Sequence, residues 1–169
     1  MVLRSIVPPG TLRRVIVCVP QKAEYEVGFY KWVEHICRIG EQLDCHLEFH
    51  AHPDTLPYIQ DYMRQKHNYV RSEFYEMERW SQIVSLSSRV SEDHLFVFVT
   101  SRPASISYQP RFEDLPLLIY RYFGQTSVML LYPDPWGDPE ASVSIFAPNG
   151  TAVTRQGSWL RRLFSRRKG

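Results

Sequence analysis

The sequence predicts a doubly wound α/β domain around a five-stranded parallel sheet of order 3-2-1-4-5. Three observations lead there. Short β-branched or aromatic runs alternate with helical stripes along the first 131 residues. Two of those runs, VIVCV and LFVFVT, are apolar throughout, as strands buried on both faces are. Right-handed crossovers and short loops then leave few topologies.

The elements follow in order. Residues 15–19 form a buried strand closed by Pro20. Residues 24–40 carry Val27, Phe29, Tyr30, Trp32, Val33, Ile36, Cys37 and Ile39, a broad helical stripe that Gly40 is expected to stop. Over 43–51, Leu43, Cys45, Leu47, Phe49 and Ala51 alternate with Asp44, His46, Glu48 and His50. That period of two predicts a second strand, half covered or close to an edge. A short helix over 53–65 turns Leu56, Ile59 and Met63 inward, with Pro57 in its first turn, where a missing N–H costs little. A strand over 69–75, a helix over 78–89, the strand LFVFVT over 95–100, a helix over 112–123 and a strand over 128–131 complete the domain. The last strand is expected at a sheet edge. Beyond residue 133 the chain reads as a probable hairpin over 134–154, with Asn149-Gly150 at its turn, and a basic amphipathic tail over 155–169.

Charge divides unevenly. The 169 residues hold 20 basic and 18 acidic groups, but residues 15–154 hold 11 basic against 18 acidic, a net −7. An acidic body with basic ends lacks the broad positive face of a nucleic-acid binder. Three cysteines without a CxxC pairing point to buried structural thiols in a reducing compartment. No run approaches the ~18 to 20 apolar residues needed to cross a bilayer, and residues 1–10 lack the apolar core of a signal peptide.

An open α/β sheet binds ligands outside the carboxyl ends of its strands, where the winding reverses. That crevice lies between the strands ending at Val19 and Thr100, walled by residues 20–24 and 101–111. Pro20 and the loop residues Arg102, Ser105, Ser107, Tyr108 and Arg111 are the candidate ligand-binding set. Guanidinium, hydroxyl and ring together suit a phosphate or a base. The loop SRPASISYQPR has no glycine, so a main-chain phosphate cradle is not expected and no cofactor is assigned.

Other constellations were weighed beside it. His46, Glu48, His50 and His52 share one strand face, and residues two apart there stand about 6.5 to 7 Å apart. Two imidazoles at that spacing suit Zn²⁺ or Ni²⁺, whereas a solvated polar face needs no metal; no metal is assigned. GxSxG, HExxH, GxxxxGK[ST] and GxGxxG are all absent, and no catalytic residue is assigned. Glu113 and Asp114 are read as helix N-terminal acids. In the tail QGSWLRRLFSRRK, Trp159, Leu160, Leu163 and Phe164 form a stripe flanked by Arg161, Arg162, Arg166 and Arg167, a composition that seeks anionic membrane surfaces.

The strand order and the loop position resemble the universal-stress-protein fold. That family's nucleotide-binding members carry Gly-x-x-Gly, nine residues, then Gly-Ser or Gly-Thr after the fourth strand, and this chain has none of those glycines. Over 95–133 the chain shows an LFVF strand, Ser101-Arg102, Ser107-Tyr108 with Pro110, Leu115-Pro116, Tyr122-Phe123 and Leu131-Tyr132-Pro133. In those features it resembles the cytoplasmic C-terminal region of bacterial cation/proton (Na⁺/H⁺) antiporters. The resemblance implies a non-enzymatic regulatory domain at the cytoplasmic face of the bacterial inner membrane. Its partners would be the transporter's transmembrane part, encoded upstream of Met1, and a second copy in a homodimer. The alternatives are a stand-alone nucleotide-binding stress-protein-like module and a weak nucleotide hydrolase.

Overall fold

The computed structural model describes residues 2–134, and they form an α/β domain around a six-stranded, mostly parallel sheet. The strands are β1 (Val2–Arg4), β2 (Arg14–Cys18), β3 (His46–Ala51), β4 (Ser72–Glu76), β5 (His94–Val99) and β6 (Ser127–Leu131). Across the sheet they run β1-β6-β5-β2-β3-β4. The helices are α1 (Phe29–Leu43), α2 (Leu56–Lys66), α3 (Ile83–Leu86) and α4 (Leu115–Tyr122). Among the described residues, no helix is long and apolar enough to cross a membrane. The architecture is compatible with a Rossmann-like fold.

The sheet departs from the expected five-stranded parallel one. Residues 2–4 add a sixth strand, antiparallel to β6, with Val2 opposite Leu130 and Arg4 opposite Val128. The expected edge at β6 is therefore covered from the N-terminal side. Arg4 fastens the new strand by donating to the carbonyls of Phe123 (2.5 Å) and Thr126 (3.1 Å). The five parallel strands run β4-β3-β2-β5-β6 among themselves, so the winding reverses beside β2, where β2 pairs with β3 on one side and β5 on the other.

Each face of the sheet has its own core. Val15, Val17, Leu47, Phe49, Val97 and Val99 pack under α1 and α2. Ile16, Cys18, Phe96 and Phe98 pack under α3 and α4, where Phe123 meets Phe96 with ring centroids 4.4 Å apart. Three helical expectations are corrected. Residues 23–25 form a separate 3-10 turn before α1, and α1 runs through Gly40 to Leu43. Asp44, at φ 46°, ends it in the left-handed conformation. Gly40 is instead a packing glycine: a Cβ there would lie 3.0 Å from the Leu47 side chain. The expected helix over 78–89 shrinks to the four residues of α3 between two 3-10 turns. The hydroxyls of Ser85, Ser87 and Ser88 each donate to the carbonyl three residues back, which favours the tighter turn. Over 110–114 another 3-10 turn replaces the start of the helix predicted from residue 112.

β3 lies next to the edge strand β4, as one of its two expectations had it, but it is not half covered. It lies inside the sheet between β2 and β4, and its polar face is buried: Glu48 is 1% and His50 4% exposed. Glu48 accepts from Arg14 (2.5 Å) and from His50 Nε2 (2.6 Å), and Arg89 stands 3.5 Å away. Burial alone would raise the Glu48 pKa, but the hydrogen bonds from His50 and Arg14 outweigh it and hold it at about 2.

Candidate functional site

The chain turns sharply on leaving β2 and again on leaving β5, without glycine in either place. Lys22 (φ 68°) and Ala104 (φ 78°) both adopt the left-handed region. For a residue with a Cβ that conformation costs roughly 1–2 kcal/mol. Such strain concentrates at functional positions. These turns flank a cleft of about 380 Å³ at the carboxyl end of the sheet.

Lys22, Arg79, Trp80, Ser107, Tyr108 and Arg111 line that cleft. Of the six residues expected to bind ligand, it gathers Ser107, Tyr108 and Arg111. Pro20 is buried, Arg102 is exposed and Ser105 is half buried; none of the three lines the cleft. The expected wall over 20–24 contributes through Gln21 and Lys22. A third wall was not foreseen: residues 77–81, which follow β4, supply Arg79 and Trp80. The ERW triplet reads as the start of a helix, and only the shortening of α3 frees it to face the cleft.

The loop holds its own shape. Glu26 Oε1 accepts from the Ser107 amide (3.0 Å) and from its hydroxyl (2.7 Å). The amides of Ser105, Tyr108 and Phe112 donate to the carbonyls of Arg102, Ser105 and Gln109. Those main-chain donors are therefore spent within the loop. Tyr108 donates its hydroxyl to Glu113 (2.8 Å) and meets Phe112 edge to face at 5.9 Å. Glu113 thus anchors the loop. Both acids stand at the start of the helix as read, Glu113 in the first turn of the 3-10 segment and Asp114 at the N-cap of α4, though Asp114 makes no side-chain capping bond.

What remains facing the cleft is cationic. Among the described residues, Lys22, Arg79 and Arg111 make no ion pair, and the sole acid on the lining is Glu78. Three flexible cations around a cavity this size attract a small anion by charge, with the Tyr108 ring beside them as an apolar face.

The remaining constellations do not converge. His46 Nε2 lies 3.4 Å from Glu73, His50 is bonded to Glu48, and His52 stands 3.3 Å from Asp54. Among the described residues no group of three or more His, Cys, Asp or Glu is placed to hold a metal. Cys18, Cys37 and Cys45 are free and buried. Burial pushes all three thiols up, Cys37 to about 12, so none is a thiolate near neutrality. The expected hairpin and tail, with Trp159 through Arg167, lie outside the described residues. No protein-family model, curated protein or solved structure matches the chain.

Proposed function

We propose that this chain is a non-enzymatic regulatory domain of a cation/proton antiporter, with a universal-stress-protein-like fold, held at the cytoplasmic face of the bacterial inner membrane. The observation that carries the reading is where the resembling residues fall. Residues 95–133 build β5, the crevice loop, α4 and β6 as one continuous unit. Its loop is held at both ends, Ser107 to Glu26 outside the unit and Tyr108 to Glu113 within it, the pattern of a loop held ready at a switch point. The domain acts by sensing a small anion in the cleft, by contact with a second copy, or by both. The basic tail holds it against anionic lipid, each cation near the surface contributing ~1 kcal/mol.

The reading frame around the chain tests this. It should continue upstream into about ten or more hydrophobic spans. An in-frame stop close before Met1, with no such spans, overturns it. The cation-lined cleft also favours a second reading, a stand-alone nucleotide-binding module. Adenine nucleotide retained through purification, together with that stop, would select it.

A further inference from the structure

The cleft at the carboxyl end of the sheet has a charge and a shape that narrow its occupant. Lys22 comes from the turn after β2, Arg79 from the segment after β4, and Arg111 from the loop after β5. Three cations against one acid, Glu78, leave the described lining with two positive charges. The walls that carry them are braced to each other. Glu26, four residues beyond Lys22, holds the Ser107 hydroxyl at 2.7 Å, and Trp80 meets Phe112 edge to face at 5.0 Å. The amides of Ser107 and Tyr108 are already bonded, so an anion here is held by side chains rather than by a main-chain cradle.

We propose that the cleft binds a phosphomonoester, its phosphate among Lys22, Arg79 and Arg111 and its ester group against Tyr108 and Ile106, a step that rests on the anion-sensor reading of the cleft and not on the transporter assignment. With a second pKa near about 6, a phosphomonoester is close to a dianion at neutral pH, the charge that the lining balances. Its oxygens are then acceptors, and the three cations are donors only. Either arginine can give it two parallel N–H bonds. A carboxylate would leave a positive charge unanswered, and a nucleoside triphosphate would bring more negative charge than the lining can balance.

Size and polarity call for the ester group. A cavity of about 380 Å³ is more than a bare tetrahedral anion fills, and it lies at the small end of the range for organic ligands. Ile106, 55% exposed, and the half-buried Tyr108 ring give that group an apolar surface to cover. Trp80 also lines the cleft, whereas Trp32 packs in the core on the other face of the sheet, so the two indoles form a reporter and its control.

Titration of the full chain, followed through the indole N–H signals by heteronuclear NMR, tests the proposal. Phenyl phosphate should shift the Trp80 signal and leave that of Trp32 in place. It should bind at least about tenfold more tightly than inorganic phosphate, which lacks the ring, or phenyl methyl phosphate, the singly charged diester. Arg79→Gln with Arg111→Gln should weaken phenyl phosphate at least about tenfold, with an unmoved Trp32 signal to show that the variant folds. Lys31→Gln, on the opposite face, should leave the affinity unchanged. Equal affinity for either comparator overturns the phosphomonoester and leaves a general anion sensor. Tighter binding of ATP than of phenyl phosphate overturns it in favour of the nucleotide-binding module. No shift with any of these ligands at about 10 mM removes the anion sensor together with the proposal, whereas the transporter assignment stands or falls on the reading frame.

Discussion

His50 and His67 are each held by carboxylates, yet one stands inside the sheet and the other between helices. His50 donates to Glu48 at 2.6 Å, stacks on Tyr75 with centroids 5.0 Å apart, and shares its carboxylate with Arg14. His67 follows α2 and reaches across to α1, giving Nε2 to Glu34 and Nδ1 to Glu41, both at 2.6 Å. Tyr62 and Arg38 also donate to Glu34, and the Tyr69 hydroxyl donates to Glu41. Around Glu48 the carboxylate is the hub, with Arg14, Arg89 and the His50 ring around it. Around His67 the imidazole is the hub and acids surround it. The difference teaches which partner each site cannot lose.

The largest effect should come from the hub in the sheet. Glu48→Gln leaves Arg14 without its counter-charge and His50 Nε2 without its carboxylate partner at a buried position. Loss of one partner of a buried pair costs about 3–5 kcal/mol. Urea denaturation should show that loss, and Glu48→Leu with Arg14→Met should cost clearly less, because it removes both charges of the ion pair together. Equal losses in the single and double variants would break the picture of a charge-balanced hub.

The helical cluster should report through pH. Burial alone would lower the His67 pKa, but the hydrogen bonds to Glu34 and Glu41 outweigh it and raise it above 6.5. Its contribution to stability is therefore complete below about 6.5 and is lost as pH rises through the higher folded value. Glu34 has the opposite sign. Burial would raise it, yet His67, Tyr62 and Arg38 hold it at about 2, so its contribution is present above about 4.5 and lost as pH falls toward 2. Between those limits the clamp is complete. Urea midpoints measured at pH 5.5 and 8.5 should differ in the parent chain, and His67→Gln should shrink that difference. An unchanged difference would detach the cluster from the pH response.

The smallest effect should come from the outer shell of the sheet cluster. Arg89, with half its side chain in solvent, stands 3.5 Å from Glu48 and 5.6 Å from the centroid of the Tyr75 ring. Arg89→Ala should cost only about 0.5–1 kcal/mol in the same measurement. A loss as large as that of Glu48→Gln would move the hub from the carboxylate to the guanidinium.

The two clusters also show what a sequence can and cannot reveal. The HLEFH alternation predicts a strand, and β3 is one; yet alternation reads the same whether the polar face meets water or meets Arg14 and Arg89. Burial of Glu48 depends on residues 34 positions before it and 41 after it, beyond any local pattern. β5 was legible because LFVFV has no other stable home. β1 was not: three residues, VLR, carry no periodicity, and their strand exists only because β6 presents a free edge. In the cleft, Ser107, Tyr108 and Arg111 were legible from the strand-end rule, whereas Lys22, Arg79 and Trp80 arrive from turns whose shape rests on left-handed backbone and serine hydroxyls.

The antiparallel seam between β1 and β6 has a mechanical meaning. Val2 faces Leu130, so the chain enters the sheet and departs from it at the same corner. Tension applied through both ends would load the hydrogen bonds of that seam one after another, as a zipper is opened, and never all at once in shear. The three-residue strand should peel away at low force while the parallel strands behind it stay paired, making the seam the first element to yield to a pull.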